Sequence, residues 1–231
     1  MFYWALKFIF GPLVRLVWVE EASGLNNIPK KGGLILVANH ASFLDFFLLP
    51  AIFQRRIYFL AAEKFFRSLP WRALMRLTSQ IRVDRTAEDK KDVYKRALDV
   101  LRKGNILGIF PEGRRSRDGK LQPAFPGAAR IALMAQVPIL PVALCGTYSI
   151  FPAHRRLPNL KKCRIRIGRV LSLKDYYGQE KDELLLRRIT EEIIMSQIKM
   201  LLAEDKVVNG DSNYFPSGDL GAIKSPSLKE V

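Results

Sequence analysis

The chain has 231 residues, with 38 Lys and Arg against 22 Asp and Glu for a formal charge of +16; 48% of residues are hydrophobic and 26% charged. These values exclude a disordered chain and leave room for one sizeable α/β domain with its own core. The positive excess calls for a partner rich in negative charge: a phosphorylated small molecule, an anionic bilayer, an acidic protein or nucleic acid.

The first stretch, MFYWALKFIFGPLVRLVWVE, is apolar and aromatic, but Lys7 and Arg15 sit within it and Gly11-Pro12 divides it. A spanning helix needs about 20 mostly apolar residues, and each Lys or Arg at mid-bilayer costs roughly 2.5–3.5 kcal/mol. Eight positions apart, Lys7 and Arg15 lie about 80° from each other on a helical wheel, so they can share one wet edge. That suits a segment lying in the membrane interface, with Trp4 and Trp18 at headgroup depth. A helix buried in the core is the competing reading, and the absence of a small-residue cleavage site disfavours a signal peptide.

Gly33–Val37 reads as a buried strand leading into Asn39-His40, and Phe46–Phe53 as the helix after it. Strands are expected over Arg56–Ala61 and Ser79–Val83. An amphipathic helix covers Glu88–Lys103, with Val93, Ala97, Val100 and Leu101 on one face and Gly104 as its stop. Asn105–Phe110 follows as a buried strand, Gly127–Gln136 as a small-residue helix, Ile139–Leu144 and Cys163–Ile167 as strands, and Leu184–Leu202 as a closing amphipathic helix. The alternation predicts a single layered α/β domain over residues 21–204, with a mostly parallel, mixed sheet flanked by helices. Residues 1–20 form an N-terminal membrane-associated segment, and residues 205–231 a polar tail expected to be disordered. Cys145 and Cys163 match no CxxC or metal spacing and read as thiols in a reducing compartment.

Two polar clusters follow directly on apolar strands. Parallel sheets bind ligands beyond the carboxyl ends of their strands, so the clusters can meet on one rim. In the first, ANHASFLDFF, His40 and Asp45 stand five positions apart. On a continuous helix they would point about 140° apart, so contact requires a strand end turning into a helix start. Asp45 then fixes one imidazole nitrogen and the other serves as general base. No GxSxG nucleophile is present, so such a dyad activates a hydroxyl on the substrate. Against this, Ser42-x-x-Asp45 also reads as a capping box, with His40 a plain loop residue.

The second cluster, IFPEGRRSRDGK, places Glu112 and three arginines, Arg114, Arg115 and Arg117, at a strand end. Arginine forks suit phosphate oxygens, and a glycine-containing turn adds backbone N–H groups. It is not a P-loop: one residue too many separates Gly113 from Gly119-Lys120, and Leu121 stands where Ser or Thr is needed. The second histidine, His154, reads as a loop residue. Residues 155–174 hold eight Lys or Arg, suited to anionic lipid, coenzyme A phosphates or an acidic carrier protein.

Asn39-His40-x4-Asp45, Arg82-Val83-Asp84-Arg85, Phe110-Pro111-Glu112-Gly113-x-Arg115-Ser116 and Val137-Pro138-Ile139-Leu140-Pro141-Val142 occur in the order of the four blocks of glycerolipid acyltransferases. Over roughly Val17–Leu173 the chain resembles the bacterial 1-acylglycerol-3-phosphate acyltransferases. The resemblance implies that His40 is the base and Asp45 its partner. It implies that Arg82, Arg85, Glu112, Gly113, Arg115 and Ser116 contact the acceptor's phosphate and glycerol, and that Pro138 shapes a supporting wall. It further implies acyl transfer from acyl-CoA or acyl carrier protein to 1-acyl-sn-glycerol 3-phosphate, with no metal or bound cofactor. The expected location is peripheral or monotopic at the cytoplasmic face of the cell membrane. The sequence departs from the family where Ser79 or Gln80 replaces a glycine, Arg114 a threonine, and Phe125-Pro126 a basic pair. Rival readings are another lysolipid acceptor, or a non-catalytic basic module on membrane. Nucleic acid is disfavoured because the aromatics sit in apolar runs.

Overall fold

The apolar runs pair into one seven-stranded sheet of order β1-β7-β6-β2-β5-β3-β4 in the computed structural model, which describes residues 2–84 and 90–208. The strands are β1 (Val19–Ser23), β2 (Leu34–Ala38), β3 (Ile57–Ala62), β4 (Ile81–Val83), β5 (Ile106–Ile109), β6 (Ile139–Cys145) and β7 (Cys163–Ile167). All neighbouring pairs are parallel except β6 with β7. The helices are α1 (Phe2–Trp18), α2 (Asp45–Ile52), α3 (Leu69–Leu77), α4 (Lys91–Arg102), α5 (Gly127–Ala135), α6 (Glu183–Arg188) and α7 (Ser196–Val208). A π-helical stretch, Ile189–Met195, joins α6 to α7, so the closing helix is longer and less regular than expected.

Every residue of β2 is buried, as a central parallel strand requires. Leu34, Leu36 and Ala38 pack toward α1 and α2, while Ile35 and Val37 pack toward α4, α5 and the closing helices. The result is three layers with the sheet in the middle.

Three expectations need correction. Gly11-Pro12 does not divide the first segment, because α1 runs unbroken through Pro12. Gly11 is buried against α2, where a Cβ would lie 3.8 Å from the Ala51 Cα, so the small residue serves helix packing. Lys7 shares no wet edge with Arg15: its Nζ donates to the Phe53 carbonyl at the end of α2 and stacks over the Trp4 ring at 4.9 Å. A cation at a helix C-terminus complements the helix dipole. The polar tail does not start at Asp205, because α7 continues to Val208 and Asp205 is buried.

The divide at residue 20 falls inside β1, an element the sequence reading missed. Its residues Glu20 and Glu21 are not apolar; they pair with Arg164 and Arg166 of β7, which also hold Asp205 of α7. Part of the basic stretch after Arg155 is therefore consumed internally. Burial opposes ionisation of Asp205, but its two guanidinium partners outweigh it and hold its pKa below the ordinary value. The stability it contributes is thus present above the unfolded carboxylate pKa, and is lost as pH falls through the lowered folded value. Replacing Asp205 with Asn should destabilise the fold by about 3 kcal/mol at neutral pH, since both arginines lose a buried counter-charge. The deficit should shrink in acid; denaturant melts across pH measure both.

Ser79, which with Gln80 stands where the resemblance leads one to expect a glycine, adopts φ +57° at the end of α3, its N–H donating to the Arg76 carbonyl. The backbone turn survives the exchange at a conformational cost. Ser79→Gly should raise stability by about 1 kcal/mol, read by thermal denaturation.

Candidate active site

β2 delivers its last residues to the rim under tight constraint. The Asn39 side chain continues the ladder onto β6, its Nδ2 donating to the Leu144 carbonyl (3.1 Å) while Oδ1 accepts from the Leu144 N–H (2.7 Å). The sequence reading gave this residue no task beyond the motif. A buried amide next to a strand end was the available signal.

The chain then turns, and α2 begins at Asp45. Asp45 Oδ2 accepts from His40 Nδ1 (2.8 Å), Ala41 N (2.9 Å) and Ser42 N (2.8 Å). One carboxylate oxygen thus holds both the imidazole and the turn ahead of α2, while the N-cap of the helix is Leu44, which has no side-chain cap, so the Ser42 capping box does not form. Asp45 is fully buried, and its Oδ1 has no hydrogen-bond partner among the described residues. Ser42 Oγ accepts from Leu44 N and donates to the Phe151 carbonyl, fixing the turn from outside.

His40 is held on every other side. Its N–H donates to Glu112 Oε1 (2.7 Å), its carbonyl accepts from Ser116 N (2.8 Å), and its ring stacks on Phe110 at 4.1 Å and 17°. Phe110 stacks in turn on Phe59. Room for that second ring comes from Gly108, where a Cβ would lie 2.5 Å from the Phe59 ring. The imidazole keeps 18% of its surface open, facing a cleft of about 690 Å³ lined also by Phe43, Trp71, Arg114, Arg115 and Phe125. The Arg115 guanidinium lies 5.7 Å from the Phe43 ring centroid, within cation–π range.

The expected acceptor-binding residues divide. Gly113, at φ +68°, and Arg115 line the cleft beside His40. Glu112 borders it, but both of its carboxylate oxygens are committed to main chain, Oε2 accepting from Gln122 N (2.9 Å). It therefore joins the turns after β2 and β5 instead of standing free to meet hydroxyls. Ser116 is buried behind, its hydroxyl donating to Asp118. Arg82 projects from the opposite side of β4 to Val83. Its guanidinium lies 3.6 Å from Glu63, beside a separate shallow cavity with Arg76 and Arg96. Strand alternation accounts for this, since Val83 is the one that lines the dyad cleft. Arg85 lies outside the described residues. Pro138 stands at the start of β6, its carbonyl accepting from Ile35 N, at the end of the sheet away from the dyad. His154 is exposed, edge-on to Tyr148. Both cysteines are buried, and burial pushes their thiols up to about 12, which leaves them inert as nucleophiles.

Backbone amides beside the dyad would be natural oxyanion donors, but they are already engaged. The amides of His40, Ala41 and Ser42 serve carboxylates, and those of Phe43, Leu44 and Asp45 serve Phe151 and Ser42.

Residues 21–145 match the family model described as Acyltransferase, a span that contains the dyad, the arginine turn and the strands that carry them. The chain belongs to the acyltransferase family. Among similar proteins, this acyltransferase-family chain is 33% identical over 135 residues to a chloroplastic 1-acyl-sn-glycerol-3-phosphate acyltransferase of Brassica napus, covering 57% of this chain and 39% of the relative. It is 31% identical over 130 residues to the 1-acyl-sn-glycerol-3-phosphate acyltransferase of Borreliella burgdorferi, covering 56% of this chain and 52% of the relative. The chain thus spans about half or less of the length of these relatives. Its fold matches the crystal structure of the 1-acyl-sn-glycerophosphate acyltransferase PlsC from Thermotoga maritima, with a TM-score of 0.68 at 27% identity, covering 86% of this chain and 79% of that one.

Burial raises the Glu112 pKa to about 7 from its ordinary 4.5; the bonds from His40 N and Gln122 N pull it down, and Asp45 adds to the rise. The stability tied to this group is accordingly full below about pH 4.5 and lost as pH rises through about 7. Glu112→Gln removes that titration and leaves one main-chain N–H facing an amide N–H₂, at about 1–3 kcal/mol. The stability gap between wild type and variant should be widest in mild acid and narrow by about pH 8, measured by denaturant melts.

Proposed function

We propose that the chain moves a fatty acyl group from a thioester to the free hydroxyl of 1-acyl-sn-glycerol 3-phosphate, producing phosphatidate in phospholipid biosynthesis. The observation that carries this reading is the 2.8 Å contact between His40 Nδ1 and Asp45 Oδ2, with the remaining ring nitrogen left to a cleft that holds Arg115. The names of the similar proteins point the same way.

In this scheme the acceptor phosphate meets the Arg115 fork, joined by Arg85, and its hydroxyl approaches His40 Nε2. As the hydroxyl oxygen bonds to the thioester carbon, its proton passes to Nε2, and Asp45 stabilises the imidazolium. The tetrahedral adduct collapses by breaking its C–S bond, and the thiolate recovers the proton from Nε2. With the dyad amides engaged, the oxyanion is met by a donor elsewhere on the cleft, and Arg114, which lines it, is the side chain we assign to that task. The acyl chain runs along the aromatic wall of Phe43, Phe65 and Trp71, whose rings contact one another edge-on or tilted. The donor is acyl-CoA or acyl carrier protein, and the chemistry needs neither metal nor bound cofactor.

The membrane reading enters through α1. No helix among the described residues is long and apolar enough to cross a bilayer. α1 nonetheless exposes Phe8, Ile9, Leu13 and Leu16, each more than half accessible, while Lys7 turns inward. Such a face suits a helix lying in the interface of the cytoplasmic leaflet.

His40→Ala should lower acyl transfer by at least about 10²-fold with the melting temperature kept, and Asp45→Asn should do likewise by losing the tautomer. The assay pairs labelled thioester with a panel of lysolipids. Near-normal turnover by His40→Ala would sink the proposal, and transfer to another lysolipid alone would redirect the acceptor assignment.

A further inference from the structure

The loop after β6 splits the basic stretch into two populations. Arg164 and Arg166 are spent on Asp205, Glu20 and Glu21. Arg155, Arg156, Lys161 and Lys162 are exposed, and none is paired with a carboxylate among the described residues. Between these cations stand Leu157 at 77% and Leu160 at 81% exposure, among the most open large apolar side chains of the chain.

This loop is not a loose excursion. Asn159 pins its neck: its N–H donates to the Ile150 carbonyl (2.8 Å) and its Nδ2 to the Ser149 carbonyl (2.9 Å). Its own carbonyl accepts from Trp18 Nε1 (2.8 Å), at the end of α1. The residue at the root, Phe151, accepts from Phe43 N and Ser42 Oγ in the dyad turn. β6 runs parallel to β2, so a loop leaving the end of β6 stands on the same rim as His40, which leaves the end of β2.

We propose that residues 152–162 form a second contact with an anionic bilayer, Leu157 and Leu160 entering the interface while the four flanking cations meet lipid phosphates. This deepens the membrane reading made for α1 and rests on it. Apolar side chains held out between cations gain from a bilayer and lose in water; an exposed leucine pair has no such use against free phosphate. The Trp18–Asn159 bond ties the loop to the C-terminal end of α1, whose exposed apolar residues make the first contact. The acceptor's hydroxyl is then presented at the dyad from the leaflet that holds its chain.

The test is flotation of the full chain with phosphatidylcholine vesicles, with and without phosphatidylglycerol. A basic residue at an anionic surface is worth about fivefold in partitioning. The set Arg155→Gln, Arg156→Gln, Lys161→Gln and Lys162→Gln should therefore weaken binding to the anionic vesicles by about tenfold or more, and Leu157→Ser with Leu160→Ser should weaken it to both vesicle types. Melting temperature and turnover on a detergent-dispersed acceptor should stay close to wild type: the one internal bond removed is that from the Arg155 guanidinium to Asn159 Oδ1, and Asn159 keeps its bonds to Ile150, Ser149 and Trp18. If wild type floats and the variants float equally, the loop is not a bilayer contact while α1 remains one. A wild type that floats with neither vesicle ends both readings. Loss of acyl carrier protein binding in the charge variant, with flotation intact, overturns the proposal and assigns the loop to the carrier.

Discussion

Three donors converge on one oxygen, Asp45 Oδ2: the His40 imidazole and the amides of Ala41 and Ser42. Few other arrangements let side chains five residues apart meet. The amide bonds fold the turn back on itself, and the imidazole then finds the carboxylate already in place. Orientation of the ring is a by-product of ending a strand and starting a helix with one residue. Because the oxygen is buried, water cannot compete for it, and each bond is stronger than it would be at the surface.

The same economy governs the approach of the second rim turn. Glu112 accepts the His40 N–H, and Ser116 N–H donates to the His40 carbonyl. The turns after β2 and β5 are thus clasped through both main-chain groups of the dyad histidine, as adjacent parallel strands β2 and β5 would be if they continued. Glu112 can hold two amides because it is a carboxylate, yet it is buried where the negative form is disfavoured. That tension sits one residue from an arginine turn, where an anionic ligand would change the local field.

Much of this was legible. The strands from β2 to β7 and the helices α2, α4 and α5 followed from apolar runs, helical periodicity and glycine stops, because those elements are stabilised by burial, which composition records. β1 escaped because ion pairs, not apolar contacts, attach Glu20 and Glu21 to β7. α3 was missed although it carries helix signals, Ser68 at its N-cap, Pro70 in its first turn and an amphipathic period, because it is short and only Met75 is buried. Among site residues, the neighbours in sequence around Asp45 were readable from spacing. The division of Arg82 from Val83 was not, because which face of an edge strand looks into a cleft depends on elements far along the chain. Lys7 likewise shows that a charge in an apolar run need not face solvent: a helix end can receive it.

That last contact links the two ends of the molecule's chemistry. α2 is eight residues long, so about 12 Å separate its termini. Its first residue is Asp45 and its end is held by Lys7, while Tyr3 accepts the Ile57 N–H one strand further on and Gly11 lets α1 lie close along it. α1 therefore grips the helix that carries the dyad carboxylate at the end away from the dyad, and Trp18 reaches the loop whose root braces Ser42 and Phe43. Displacing α1 would pull on both supports of the same turn. The dyad geometry and the seating of the first helix are mechanically one problem, solved by a short rigid rod between them.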